Sequence, residues 1–458
     1  MDPMRVRLAC LTILTLQACS SVDIGEDDTG DIATASGPGT SDNAPSSTAA
    51  EVGTGESNPG TNQTEPPPTS ITDAPTSFPQ TSEDTGVDPG TTDPDGTTTV
   101  SSSTDTDDTG TQPQFIPPGP TIPVGGEDHF LLGANYPWKS YGGDFGGNGW
   151  GVYGVHTDPG SYDGDFASMT DAHLEVVRWF VFTDGRAGIS FDNSGTPSGI
   201  GEHVFEDFDA ALAIAHQRGA YLVPVLLDFH WMFWLKQEGP VQVSGRSDTI
   251  TDATKRDALV NNVFIPLFDK YGSDPAILAW EIMNEPEWSI KDLPDGSPDG
   301  GSNPVPLADF YAFSRATADA VHAHTTAYVT LGSASLKWLK VWTPQFAASK
   351  GLEPIALDFY QVHYYPWMDG QSWNGHPDYG SLKFSPNEQP YGELGLDHPL
   401  VVGELIISDQ AGSRLDLLKN NGYAGVWPWS LKSDYSLDLQ GLKSWAEANS
   451  ALVDLPAP

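Results

Sequence analysis

Two glutamates stand at the ends of short apolar runs. Glu285 closes Trp280-Glu281-Ile282-Met283-Asn284-Glu285 just before Pro286, and Glu404 closes Val401-Val402-Gly403-Glu404. A lone glutamate is ordinarily a solvated or salt-bridged surface group. Two that end buried runs can face each other across one reacting centre. If one is protonated and the other ionised, the first can hand a proton to a leaving oxygen while the second attacks an acetal carbon. With carboxyls roughly 5–5.5 Å apart that pair retains anomeric configuration, and a wider gap inverts it. Arg178, in Val176-Val177-Arg178, supplies a cation that would hold Glu404 ionised. Glu285, beside that anion and among aromatic walls, would keep the raised pKa that suits an acid working near neutral pH.

The elements that must position these groups follow from hydrophobic patterning. Eight apolar runs, at 130–138, 176–182, 221–230, 277–285, 327–335, 358–366, 399–406 and 422–431, alternate with helical patterns. Most are continuously apolar, as parallel strands buried on both faces are. Val204, Phe208, Ala211, Leu212 and Ala215 stripe one helix that Gly219 closes. Leu259, Val263 and Leu267 stripe a second, which Pro266 should kink before Gly272. Phe310, Phe313, Ala316, Ala320 and Val321 stripe a third. Eight βα units predict an α/β fold, a (β/α)₈ TIM barrel over residues 127–458. An open doubly wound sheet fits less well, because no glycine-rich phosphate loop follows the first strand. In a TIM barrel the chemistry gathers at the C-terminal ends of the strands. Those ends hold Asn135, Trp138, Arg178, Asp228, His230, Asn284, Glu285, His363, Tyr365, Glu404, Trp427 and Trp429.

The neighbouring residues carry more ordinary expectations. Glu281 lies deeper on the same strand and reads as a paired interior carboxylate. Glu287, just past the strand, reads as solvated. His230 and His363 lack metal-ligand spacing, so no metal is expected. Trp231, Trp234, Trp288, Trp338, Trp342, Trp367 and Trp373 read mostly as packing, with two or three lining sugar subsites.

Taken together, these residues resemble glycoside hydrolase family 5, the cellulase and mannanase family of clan A barrels. The resemblance rests on several stretches. The stretch from Tyr271-Gly272-Ser273-Asp274-Pro275 to Asn284-Glu285-Pro286 is similar to the family's strand-four signature, and Pro399-Leu400-Val401-Val402-Gly403-Glu404 to its nucleophile motif. Val177-Arg178, Leu227-Asp228-Phe229-His230, Val362-His363-Tyr364-Tyr365 and Gly425-Val426-Trp427-Pro428-Trp429-Ser430 match its motifs on strands two, three, six and eight. The resemblance implies Glu285 as acid/base and Glu404 as nucleophile, with no cofactor. It implies that Asn284 bonds the sugar 2-hydroxyl, that Tyr365 and Arg178 orient Glu404, that His230 and His363 bind the sugar, and that Trp429 forms its floor. The expected substrate is a β-linked polysaccharide, β-mannan or β-glucan, with the strand-two run looking more mannanase-like. Two departures bear on specificity: Glu404 continues as Leu405-Ile406 rather than an aromatic and glycine, and a glycine-rich loop runs from Gly142 to Trp150. An anchored carbohydrate-binding protein on an inactive barrel, and a metal hydrolase on the same fold, are the competing expectations.

The remainder of the chain reads differently. Residues 1–19 have an export-signal pattern: Arg5 and Arg7, a short apolar run, then Leu16-Gln17-Ala18-Cys19, which resembles the bacterial lipobox. It predicts lipidation of Cys19 and a membrane anchor on the bacterial cell envelope. Ser20 in the following position points to the outer membrane. Residues 20–126 carry 18 Asp/Glu and no Lys or Arg, with Phe78 and Phe115 as their only aromatics. Such a stretch buries too little to fold and reads as an acidic disordered tether. Cys10 and Cys19 are the only cysteines, so the barrel has no thiol chemistry. A net charge of −41 repels phosphate backbones and argues against nucleic-acid partners.

Overall fold

The computed structural model describes residues 121–294, 298–432 and 435–458. The leader with Cys19, and the acidic stretch up to residue 120, lie outside the described residues. Eight parallel strands close a barrel: β1 (Leu131–Asn135), β2 (Val176–Phe180), β3 (Tyr221–Asp228), β4 (Ala279–Asn284), β5 (Tyr328–Ser333), β6 (Tyr360–His363), β7 (Leu400–Glu404) and β8 (Gly425–Val426). They pair in chain order around the circle, and β8 returns to β1 through Gly425 opposite Leu131. Each lies inside one of the eight apolar runs. Tyr328 apart, every residue of these strands is buried, because side chains point alternately into the barrel and into the layer beneath the helices.

The longer helices are α1 (Pro159–Thr170), α2 (Val204–Arg218), α3 (Ala253–Leu259), α4 (Ile265–Tyr271), α5 (Leu307–His324), α6 (Pro344–Ser349), α7 (Ala411–Asn420) and α8 (Leu439–Ala448). In α2 the expected stripe is buried, and Gly219 caps the helix with φ 68°, a left-handed conformation that costs glycine nothing. The expected break at Pro266 takes the form of a π turn, Val260–Phe264, between α3 and α4. Proline has no N–H to return to residue 262, and the widened turn lets the Ile265 N–H reach the Val260 carbonyl instead.

Two features depart from the expected plan. Between β6 and β7 the described residues hold a hairpin (Ser372–His376 with Gly380–Lys383) and two 3₁₀ turns (Pro366–Met368 and Tyr391–Glu393), not a long helix. Pro377, Pro386 and Pro390 interrupt any helical hydrogen-bond ladder there. The fold also begins before residue 127. The strand Ile122–Val124 pairs with Glu127–His129, and Ile122 and Val124 bury among Leu131, Val176, Tyr221, Val223, Leu278, Phe359, Val401 and Trp427, plugging the N-terminal end of the barrel.

Candidate active site

Arg178 is the hub of the barrel mouth. Its side chain has no exposed surface. Nε and Nη2 donate to the two Glu281 oxygens at 2.6 and 2.5 Å, and Nη2 also reaches Asn284 Oδ1 at 2.7 Å. Nη1 donates to Glu404 Oε1 at 2.7 Å and to Asn135 Oδ1 at 2.9 Å. A planar guanidinium with five donors is the group that can serve two carboxylates and two amides at once. Burial works against its charge, but Glu281 and Glu404 outweigh that and raise its pKa above the ordinary arginine value. Glu281 is therefore the paired interior carboxylate its depth suggested.

Glu404 ends β7, where a register shift between Val362 and His363 sets it opposite His363. Its Oε2 accepts from Tyr365 Oη at 2.7 Å, so both oxygens have strong donors. Burial lifts its pKa, while His363, Arg178 and the Tyr365 hydrogen bond pull the other way. Glu285 follows β4 in a left-handed backbone conformation, φ 44° and ψ 48°, which a residue with a Cβ adopts at a cost. Its N–H is tied to the Gly332 carbonyl at 2.7 Å. That turn swings the side chain over the mouth, where it keeps 12 % exposure. Trp288 Nε1 donates to Oε2 at 2.8 Å, and Oε1 lies 2.7 Å from His363 Nδ1. Burial raises this carboxyl to about 7, with the Asp228 charge adding to it. The two glutamates offer oxygens within 4.8 Å of each other. Their surroundings differ: Glu404 touches a cation and a phenol, whereas Glu285 touches an indole and a buried imidazole.

The remaining expected residues also converge here, except Trp427, whose ring points down into the apolar cluster beneath the Ile122 and Val124 plug. Asn284 Nδ2 donates to Asp228 Oδ2 at 2.7 Å, and Asp228 Oδ1 accepts from the His230 N–H at 3.0 Å and pairs with its ring Nδ1. Burial opposes charge on His230, but Asp228 outweighs it and raises the ring's pKa. Trp429 packs against Trp138 and Phe180, with ring centroids 5.9 and 6.4 Å away. His363 has no exposed side-chain surface. Its Nδ1 faces Glu285 and, at 3.5 Å, Glu404, and burial takes its pKa down to about 4.

One expectation is overturned. Glu287 is not solvated: it is 1 % exposed and accepts from Ser333 Oγ (2.7 Å), Trp342 Nε1 (2.8 Å) and the Ala334 N–H (3.1 Å). Burial raises it to about 7. It stitches the turn after β4 to the segment after β5, a contact between distant segments that no local pattern announces. Two contributors go beyond the sequence reading: Trp288 reads there as packing, and Gln361 has no reading of its own. Trp288 bonds Glu285, and Gln361 links Glu281 to His363 (Nε2 to Glu281 Oε2 at 2.7 Å, Oε1 to His363 Nε2 at 3.2 Å). Gln361 did leave a signal: it stands two residues before His363 in an otherwise apolar strand, and so on the same interior face.

Glu285, His363 and Glu404 together have the composition of a metal-ligand triad. Their oxygens, however, already accept from Arg178, Tyr365 and Trp288, and the buried arginine would repel a cation.

Residues 143–434 match the family described as Cellulase (glycosyl hydrolase family 5). The mannan endo-1,4-beta-mannosidase of Mytilus edulis is 25% identical over 365 residues, covering 72% of this chain and 91% of that protein. The enzyme of the same name from Cryptopygus antarcticus is 25% identical over 367 residues, covering 71% and 88%. In structure the chain resembles the endo-1,4-beta-mannanase of Eisenia fetida, with a TM-score of 0.58 at 23% identity over 70% of this chain and 92% of that one. It resembles the beta-1,4-mannanase of Aplysia kurodai equally, 0.58 at 21% identity over 73% and 97%. These structures share its fold.

Proposed function

Since the chain belongs to glycosyl hydrolase family 5 and is a glycoside hydrolase, we propose that it cuts internal β-1,4 bonds of a mannan with retention, using Glu285 as acid/base and Glu404 as nucleophile. The observation that carries this reading is two carboxylates that each bring an oxygen to within 4.8 Å of the other's, in unequal surroundings. That spacing suits direct attack by one of them on the anomeric carbon and leaves no room for a water between carboxylate and sugar, as inversion requires. Glu404 held by Arg178 and Tyr365 suits the nucleophile. Glu285, raised to about 7, keeps its proton near neutrality and suits the acid. Mannan is favoured by the relatives, two of which align along most of their own length.

In this reading Asn284 spends one amide hydrogen on Asp228 and has the second for the sugar 2-hydroxyl, a bond that strengthens as positive charge develops at the anomeric carbon. His230 offers a ring edge to the sugar, and Trp429 with Trp138 its apolar floor. For His363 we depart from the expected sugar contact: a ring with no exposed surface acts on Glu285 instead. Export, lipidation of Cys19 and an acidic tether holding the enzyme at the outer membrane complete the proposal. Cys19→Ala should move the protein from the membrane to the soluble fraction.

The deciding experiment offers mannan, cellulose and xyloglucan to the enzyme and follows the anomer of the first product by proton NMR. Fastest release from mannan with the β-anomer first is expected. Cellulose as the better substrate would shift the specificity to β-glucan, and an α-anomer first would overturn the mechanism.

A further inference from the structure

Glu281 and Glu285 are joined by a second route through the barrel interior, carried on β6. Arg178 and the Gln361 amide nitrogen all donate to Glu281. A carboxylate so engaged only accepts, so the Gln361 amide has one workable orientation: nitrogen toward Glu281, carbonyl oxygen toward His363. The reverse would set oxygen against oxygen. The carbonyl cannot donate, so the hydrogen in the 3.2 Å contact must sit on His363 Nε2. Burial keeps the ring neutral, with one N–H in all. Nδ1 is then a bare lone pair, 2.7 Å from Glu285 Oε1. Two acceptors at that distance need a proton between them, and Glu285 is the group that can bring it.

We propose that Gln361 is a positioning residue that fixes the His363 tautomer and so holds the acid proton on Glu285. The inference rests on the reading of Glu285 as acid/base. The barrel leaves room for this chain of side chains. A Cβ on Gly403 would stand 1.9 Å from Gln361 Oε1, and one on Gly332 would stand 2.4 Å from Glu281 Oε1 and 3.2 Å from His363 Nε2. The neighbouring strands β5 and β7 are bare just where it passes.

The arrangement serves both halves of a double displacement. In the first, Glu285 gives its proton to the glycosidic oxygen as Glu404 bonds to the anomeric carbon and the leaving sugar departs. Glu285 is then a carboxylate facing the Nδ1 lone pair. That repulsion raises its basicity for the second half, in which it takes a proton from water as the water oxygen displaces Glu404. Other charges act on the pair as well. Asp228 at the end of β3 raises Glu285, and Arg178 on β2 and His230 lower it. Glu404, Glu281 and Asp228 favour a proton on His363, and Arg178 opposes one. Exchanging Gln361 leaves all of these in place.

The test compares Gln361→Met, which keeps length and loses polarity, with Gln361→Glu, whose protonated form can still donate to Glu281 and accept from His363. Each is measured as kcat/KM against pH on mannan and on a dinitrophenyl β-mannoside, whose leaving group needs no proton, with the unfolding midpoint as a check on folding. For Gln361→Met the expected result is a basic limb about one pH unit lower and a loss on mannan of about fivefold at pH 7, approaching about tenfold on the alkaline side. The dinitrophenyl substrate should stay within about twofold, and Gln361→Glu should recover much of the profile at acid pH. An unmoved basic limb, or equal losses on both substrates, would overturn the proposal. Glu285→Gln, run alongside, separates the two layers. If it fails to lose mannan activity while sparing the dinitrophenyl substrate, the acid assignment is wrong. If it shows that split and Gln361→Met does not, only the tautomer inference falls.

Discussion

At the N-terminal rim of the barrel, Leu131, Val176, Tyr221, Val223, Leu278, Phe359 and Val401 meet around Trp427 beneath the plug of Ile122 and Val124. One layer up, the same strands turn Arg178, Glu281, Gln361 and His363 inward. On β2 the change comes within two residues, Val176 to Arg178, and at β6 likewise, from Phe359 just before the strand to Gln361 within it. The lower layer is held by apolar burial, which tolerates modest changes of shape. The upper layer buries charge, and is tolerable only while every donor has an acceptor. Stability and chemistry are thus stacked along one axis, and the polar layer is the vulnerable one.

The largest expected contrast is catalytic. Glu404→Gln should lower kcat/KM on mannan by about 10⁴-fold, and Glu285→Gln by about 10²–10⁴-fold, each with near wild-type unfolding. Phe359→Ala in the lower layer should do the reverse, losing about 3–5 kcal/mol of stability in denaturant titration with kcat nearly unchanged. Equal effects of both kinds at both levels would break the division.

Arg178→Met should cross the boundary. Stranding Glu281 and Glu404 without their cation should cost about 3–5 kcal/mol and abolish activity together. A fully stable variant would mean the polar layer is not held by this hub.

A smaller effect separates the levels by pH. Glu285 and Glu287 are both held near 7 in the folded protein, above the ordinary 4.5. The native state therefore keeps protons that the unfolded chain releases. Their contribution to stability is full below about pH 4.5 and is lost as pH rises to about 7, by at most about 3 kcal/mol each. Denaturation midpoints should fall over that window, and Glu285→Gln should flatten part of the slope. A rise instead would contradict the burial of these groups. The smallest expected effect is that of chelation: activity should be unchanged by EDTA, and its loss would reopen the metal reading of the carboxylate–histidine cluster.

Local pattern was enough for much of this protein. Continuous apolar runs marked all eight barrel strands, because a strand buried on both faces must be apolar throughout. The rule that chemistry sits at their C-terminal ends picked out Glu285 and Glu404, and the geometry brings them together. Glycine and proline marked the end of α2 and the break before α4, since both act through their own backbone. The segment between β6 and β7 was misread because strand-to-strand alternation was extended across prolines that forbid a helix.

What only the tertiary structure decided is which polar groups meet. Glu287 looked solvated because nothing within a few residues shows that Ser333, Ala334 and Trp342 will enclose it. Gln361 looked like one more strand residue because its partners, Glu281 and His363, reach it from β4, two strands away in the closed barrel, and from its own strand. Apolar burial is non-directional and leaves a periodic trace in sequence. A hydrogen bond between residues far apart in the chain depends on ångström-scale placement, which no period records.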